Sequence, residues 1–212
     1  MQPFTAVTGT AAPLLRDNID TDLIIRVERL GDTPRGAMGP FAFEALRYGT
    51  DGAEDPGFVL NQPAFRGAPI LVTGANFGCG SSREGAVWAL MGMGLRCVIA
   101  PSFGDIFLNN CFQNGFLPVQ LPVAEMARLV QECTGDNARV TVDLHRQLVV
   151  FPHGEEVGFA IEPMRRHAML EGLDEIGLTL QHSDAIAAFQ ARDRSARPWV
   201  WLPPAPSGLT VP

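Results

Sequence analysis

The chain contains no lysine: all 16 of its basic residues are arginine. That absence excludes a phosphate-loop lysine, a Schiff base of the pyridoxal or aldolase type, and a serine–lysine dyad. Its cysteines, Cys79, Cys97, Cys111 and Cys133, include no C-x-x-C pair. Neither a zinc ribbon nor a local iron–sulfur ligand set can be read from them, and their scatter suits reduced thiols better than a disulfide framework. No apolar run reaches the ~18 residues of a membrane helix. The N-terminus lacks a basic segment leading into an apolar one, so the expected location is cytoplasmic. Positive charge is also in deficit. Sixteen basic against 23 acidic residues leave a net charge of −7, which argues against a polyanion such as DNA as partner.

What is present suffices for one sizeable core: 212 residues, 46% of them hydrophobic. Residues 1–30 read as short strands punctuated by turns, with Asn18–Asp22 as a polar loop before Leu23-Ile24-Ile25. From Gly31 to Pro69 the chain is rich in Gly, Pro and Asp and reads as long loops around one short helix near Phe41–Tyr48. Then come apolar runs alternating with helix-like stretches: Ile70–Thr73, Ser81–Met91, Cys97–Ala100, Phe103–Asn114 closed by Gly115, and Phe116–Val119. Strands and helices alternating at these lengths predict parallel, right-handed β-α-β units and an α/β fold. Pro122–Cys133 reads as an amphipathic helix. Val140–Asp143 and Leu148–Phe151 read as a hairpin, Val157–Ile161 as a further antiparallel strand, and Pro163–Glu171 and Ser183–Arg192 as closing helices. Residues 1–192 make the expected domain and residues 193–212 a Pro-rich C-terminal tail.

The chemistry concentrates in Asn76-Phe77-Gly78-Cys79-Gly80-Ser81-Ser82-Arg83-Glu84. Strand, Gly-rich turn and helix aim backbone N–H groups and a positive helix end at an anion, and here two hydroxyls and a guanidinium join them. Such a cradle suits a carboxylate. Gly78-x-Gly80 begins a dinucleotide fingerprint, but Arg83 stands where the third glycine belongs and no acidic residue ends the next strand. No G-x-S-x-G elbow surrounds either serine. Cys79 reads as a small buried cysteine, and Ser81 as a helix N-cap. Arg83 in a first helical turn opposes the dipole by roughly 0.3–1 kcal/mol, which invites a carboxylate ligand held bidentately. Glu84 either orients Arg83 or complements the dipole. His145, His153, His167 and His182, far apart in sequence, read as surface or structural residues.

The string from Asn76 to Glu84 resembles the signature of the aconitase superfamily's swivelling domain, and within it the small-subunit family of 3-isopropylmalate dehydratase. Asn18-Ile19-Asp20-Thr21-Asp22 with Ile24-Ile25, Ile99-Ala100-Pro101-Ser102-Phe103, Asp105-Ile106-Phe107, Arg165-Arg166-His167 and Gly172–Leu180 match further landmarks in the same order, so the resemblance runs from about Phe4 to Ala191. It implies a three-layer β/β/α domain with a mostly parallel central sheet and a smaller antiparallel one. It also implies a partner: a large subunit that holds a 4Fe–4S cluster, with no cofactor on this chain. The implied reaction is the dehydration and rehydration that interconvert 2- and 3-isopropylmalate in leucine biosynthesis. Ser81 is then the catalytic base, acting as its alkoxide; Ser82 and Arg83 bind substrate, and Asp22 is an acid one step removed.

The chain also departs from that pattern. Gly85 and Val87 stand where the family usually has histidine and proline. Arg26 and Arg29-Leu30 replace a proline and an aromatic–Leu pair in the loop held to select the substrate's side chain. Two arginines there suit a more polar substrate. Two rivals follow: a paralogous hydro-lyase subunit for another hydroxy dicarboxylic acid of the methylmalate, dimethylmaleate or homocitrate type, and a non-catalytic carboxylate-binding module.

Overall fold

The computed structural model describes residues 1–133 and 139–201. Two compact units divide the chain, Met1–Asp174 and Glu175–Pro212.

The first unit is built on one hydrogen-bonded series of seven strands in the order β4-β3-β2-β1-β5-β6-β7. These are β1 (Ala6–Leu14), β2 (Ile70–Thr73), β3 (Cys97–Ala100), β4 (Leu117–Gln120), β5 (Arg139–Asp143), β6 (Leu148–Val150) and β7 (Glu156–Gly158). The β1–β2, β2–β3 and β3–β4 pairs are parallel, and β1–β5, β5–β6 and β6–β7 are antiparallel. Strand β1 serves both halves. Its first residues, Ala6 to Thr10, pair with β5, and Ala11 to Leu14 pair with β2.

Every residue of β2 and β3 is buried, as expected of parallel strands covered on both faces. Successive side chains point to opposite faces, so Leu71, Val98 and Ala100 join one core cluster while Ile70, Val72, Cys97 and Ile99 join another. Against the first cluster pack α4 (Glu84–Gly92), α5 (Asp105–Asn114) and the segment between β1 and β2. That segment contains α1 (Thr21–Ile24), α2 (Glu28–Asp32) and α3 (Glu44–Arg47). The second cluster gathers Val140, Val142 and Val149 of the antiparallel strands, Met126 and Leu129 of α6 (Val123–Glu132), and Met169 of α7 (Pro163–Glu171). Helices, parallel strands and antiparallel strands therefore stack in the expected three layers. The smaller sheet is continuous with the larger through β1.

Three expectations need correction. Residues 21–32 form helical turns, because the Asp20 carboxylate caps α1 by accepting the Leu23 N–H at 2.7 Å. The helix expected from Ser81 begins at Glu84, with Arg83 as its extended N-cap residue and no side-chain cap. Cys79 is half-buried, not buried.

Among the described residues, the second unit contains α8 (Glu175–Leu180), which the sequence did not suggest, α9 (Ser183–Ala196) and a short 3-10 turn at Pro198–Trp201. Within it, the Asp193 carboxylate accepts from the Trp201 indole at 2.9 Å and from Arg197 Nε at 2.7 Å. These bonds hold its pKa below the ordinary value, the indole contributing most. Of the Pro-rich tail read from residue 193 onward, residues 202–212 lie outside the described residues.

Candidate active site

The carboxyl ends of β1, β2 and β3 feed three loops that are laced together. Gly78 donates its N–H to Ile19 O at 2.7 Å, and Thr21 its N–H to Cys79 O at 2.9 Å. On the other side Phe77 donates to Ser102 O at 3.1 Å, and Gly104 to Phe77 O at 2.9 Å. Two glycines make this crossing possible. Gly78 sits at φ +74° with no room for a side chain against Phe107, and a Cβ on Gly104 would lie 2.6 Å from the Gly78 carbonyl.

This lacing explains why α4 starts late. The Thr21 hydroxyl donates to the Ser81 carbonyl at 3.0 Å, which commits to the neighbouring loop an oxygen that a longer helix would need. Ser81 and Ser82 are left outside the helix, exposed, ahead of its first turn. Neither hydroxyl makes a hydrogen bond among the described residues, so neither is a cap. They stand beside the first-turn N–H groups of α4, which no helix satisfies internally.

Arg83 is the most buried of the three polar side chains, 12% exposed. Its Nη1 pairs with the Asp22 carboxylate and reaches Ile25 O at 3.4 Å. The Nε and Nη2 edge donates to nothing among the described residues. One edge of the guanidinium fork is thus anchored and the other is open, the geometry a carboxylate can accept bidentately. Glu84, left between two readings by the sequence, turns away from Arg83 and accepts from the Asn114 amide at 2.8 Å.

The Arg26–Leu30 loop adjoins Arg83 through Ile25. Arg29 is committed elsewhere. It donates to both oxygens of Glu44 at 2.5 and 3.0 Å and lies over the Phe41 ring, 4.3 Å from its centroid. The hydrogen bonds from Arg29 hold the Glu44 carboxyl below the usual carboxylate range. Arg26 pairs with Glu28 at 3.5 Å and lines a pocket of about 540 Å³ together with Phe41, Glu44 and Tyr48. Leu30 accounts for Gly85: a Cβ on Gly85 would lie 2.5 Å from Leu30 Cδ2. An apolar side chain therefore occupies the space beside that glycine.

Among the described residues, no three or more His, Cys, Asp and Glu side chains are placed to hold a metal ion. Burial pushes the thiols of Cys97 and Cys111 well up and that of Cys133 to about 11. They are poor thiolate ligands.

Similarity to known proteins bears on this site directly. The family model described as the aconitase C-terminal domain matches residues 1–124. A second, described as the C-terminal domain of the 3-isopropylmalate dehydratase small subunit, matches residues 175–200. The 3-isopropylmalate dehydratase small subunit of Paramagnetospirillum magneticum is 53% identical over 201 residues, 94% of this chain and 100% of that one. The chain belongs to the 3-isopropylmalate dehydratase small-subunit family. The small subunit of Gluconacetobacter diazotrophicus is 54% identical over 94% of this chain and 97% of its own. Among solved structures, a crystal structure of 3-isopropylmalate dehydratase (LeuD) from Methanocaldococcus jannaschii superposes with a TM-score of 0.63. It is 25% identical and covers 87% of this chain and 99% of that one. Membership thus spans both units of the molecule.

Proposed function

We propose that this chain is the small subunit of a hydro-lyase that interconverts 2- and 3-isopropylmalate in leucine biosynthesis, and that it acts with a large subunit of the aconitase type. The observation that carries this reading is the near full-length identity of about half to small subunits of that dehydratase. It is supported by a site whose serine hydroxyls make no hydrogen bond among the described residues. The same identity favours isopropylmalate over the other hydroxy dicarboxylic acids.

In this reading the open Nε and Nη2 edge of Arg83 takes a substrate carboxylate, with Ser82 and the first-turn N–H groups of α4 beside it. Asp22 keeps the guanidinium aimed by holding its other edge. Ser81 removes the proton on the carbon next to that carboxylate. A serine hydroxyl is a very weak acid, so the alkoxide needs neighbouring donors and a cation to hold its charge, and the helix start and Arg83 supply both. The cluster on the large subunit would contribute Lewis-acid assistance to departure of the hydroxyl. Among the described residues no group of three or more His, Cys, Asp and Glu side chains is placed to hold a metal ion, and the exposed serines suit a surface that completes a partner's site. Arg26 is the member of the 26–30 loop left to select the substrate's side chain, since Arg29 is bound to Glu44. A biosynthetic role supports a cytoplasmic location for the complex.

The test is reconstitution. Co-expressed with a family large subunit under anaerobic conditions, the chain should support hydration of isopropylmaleate, while neither protein should do so by itself. A complex that hydrates a methylmaleate but not isopropylmaleate would favour the paralogous reading, and a stable complex with no turnover the binding module.

A further inference from the structure

Asn114, the last residue of α5, is 3% exposed and uses every hydrogen-bonding position of its side chain. Its Oδ1 accepts from Trp88 Nε1 at 3.0 Å and from Arg35 Nη2 at 2.5 Å. Its Nδ2 donates to Glu84 Oε1 at 2.8 Å and to Asn110 O at 2.8 Å. Indole and guanidinium only donate, and carboxylate and carbonyl only accept, so the four partners dictate which way the amide points. Two of them, Glu84 and Trp88, lie one turn apart on α4. The third, Arg35, comes from the 3-10 turn at Arg35–Ala37 and also lies over the Trp88 ring, 5.0 Å from its centroid.

Glu84 is the first residue of α4 and follows Arg83 directly, yet no side-chain cap secures the start of that helix. We propose that Asn114 is a positioning residue for the site. By holding Glu84 from behind, it fixes the first turn of α4 and with it the direction of Arg83. It also ties the loop carrying Arg35 to the same point. Asn114 touches no substrate and acts through Glu84. The helix start can do without a local cap because its restraint comes from the next helix.

The inference rests on the assignment of Arg83 as the substrate's carboxylate anchor, and its tests separate the two. Asn114→Asp keeps an acceptor for Trp88 and Arg35 but turns the donor facing Glu84 into a repelling carboxylate. In the reconstituted complex this should raise KM about tenfold, because Arg83 is misaimed. A purely structural loss would instead lower kcat through fewer active molecules and leave KM in place. The double variant N114D/E84Q restores that bond with donor and acceptor exchanged but leaves the Asn110 carbonyl without its donor, so KM should return only part of the way to wild type and lie below that of Asn114→Asp alone. Glu84→Ala, at an exposed position that leaves the core intact, removes the same bond and should also raise KM. It decides the matter if Asn114→Asp does not fold.

Hydrogen exchange on the isolated chain gives a readout that needs no turnover. Amides at the start of α4 should exchange faster in Asn114→Asp and Glu84→Ala than in wild type, and more slowly in the double variant than in Asn114→Asp. An unchanged KM in Glu84→Ala, or unchanged exchange in both single variants, overturns the proposal. A wild-type complex without isopropylmalate turnover would instead overturn the assigned reaction and leave the exchange result to judge Asn114.

Discussion

The carboxylate of Asp22 and the guanidinium of Arg83 meet between two loops that leave different strands, and Ile25 O takes the same nitrogen of Arg83. Only one edge of the guanidinium is thereby committed. If Asp22 acts by aiming Arg83, then Asp22→Asn should raise KM less than any substitution of Arg83 itself. In an Arg83→Lys background it should change little, because its target is gone. A double-mutant cycle on KM checks this, and fully additive effects would mean that Asp22 meets the substrate directly.

Arg83→Lys keeps the charge but loses the planar two-point grip. Hydrogen bonds to charged groups contribute about 1.5–3 kcal/mol, so kcat/KM should fall roughly ten- to a hundredfold, with KM carrying most of the change. Steady-state kinetics of the complex measure it. An unchanged KM would remove Arg83 from substrate binding.

Ser81→Ala should separate stability from activity. The hydroxyl caps nothing, so unfolding free energy should stay within about 0.5 kcal/mol of wild type, while turnover falls by at least about a hundredfold for loss of a general base. Denaturant titration and initial rates decide it. A large stability loss would mean that the hydroxyl has a structural partner after all.

Gly85 and Leu30 form a coupled pair. Alanine in place of a helical glycine is ordinarily favourable by about 1 kcal/mol, but here the new methyl group meets Leu30 Cδ2 at 2.5 Å. Gly85→Ala should therefore stabilise the Leu30→Ala protein more than the wild type. Equal effects in both backgrounds, measured by chemical unfolding, would mean that Leu30 yields freely.

The Arg29–Glu44 pair predicts a pH dependence of definite sign. Hydrogen bonds from Arg29 lower the Glu44 pKa from 4.5, so its stabilisation is fully present above that value and disappears as pH falls through the depressed folded-state pKa. Glu44→Gln should be less stable than wild type at neutral pH, with the gap closing in acid well below 4.5. A gap that persists in acid would assign the effect to packing.

Much of this architecture was legible in the residues. Ile70–Thr73 and Cys97–Ala100 could be read as strands because burial on both faces writes an unbroken apolar run, and Gly115 marked the end of α5 because its φ of +73° favours glycine. The start of α4 was not legible. Ser81 is a good cap by type, but Thr21 draws the Ser81 carbonyl away, a contact that no local pattern carries. The short helices over residues 21–32 are too brief to show a period. The motif pointed to Ser81, Ser82 and Arg83 as candidate site residues. The partner of Glu84 could not be found, because Asn114 lies on another helix and looks in sequence like an ordinary helix end. Arg29 read as one of two arginines in the substrate-selecting loop, since nothing in the sequence ties it to Glu44.

The division of β1 between two sheets has a consequence for how the molecule comes to exist. Its first half borders residues 139–143 and its second half borders residues 70–73. On a ribosome delivering about 5–20 residues per second, Ala11–Leu14 can find a neighbour well before Ala6–Thr10 can. For roughly ten seconds the nascent chain carries a half-clothed strand whose outer backbone groups have no mate and are open to pairing with another molecule. Such distant pairing makes for slow folding. The part of the chain made first must thus wait for residues 139–143 before it is enclosed.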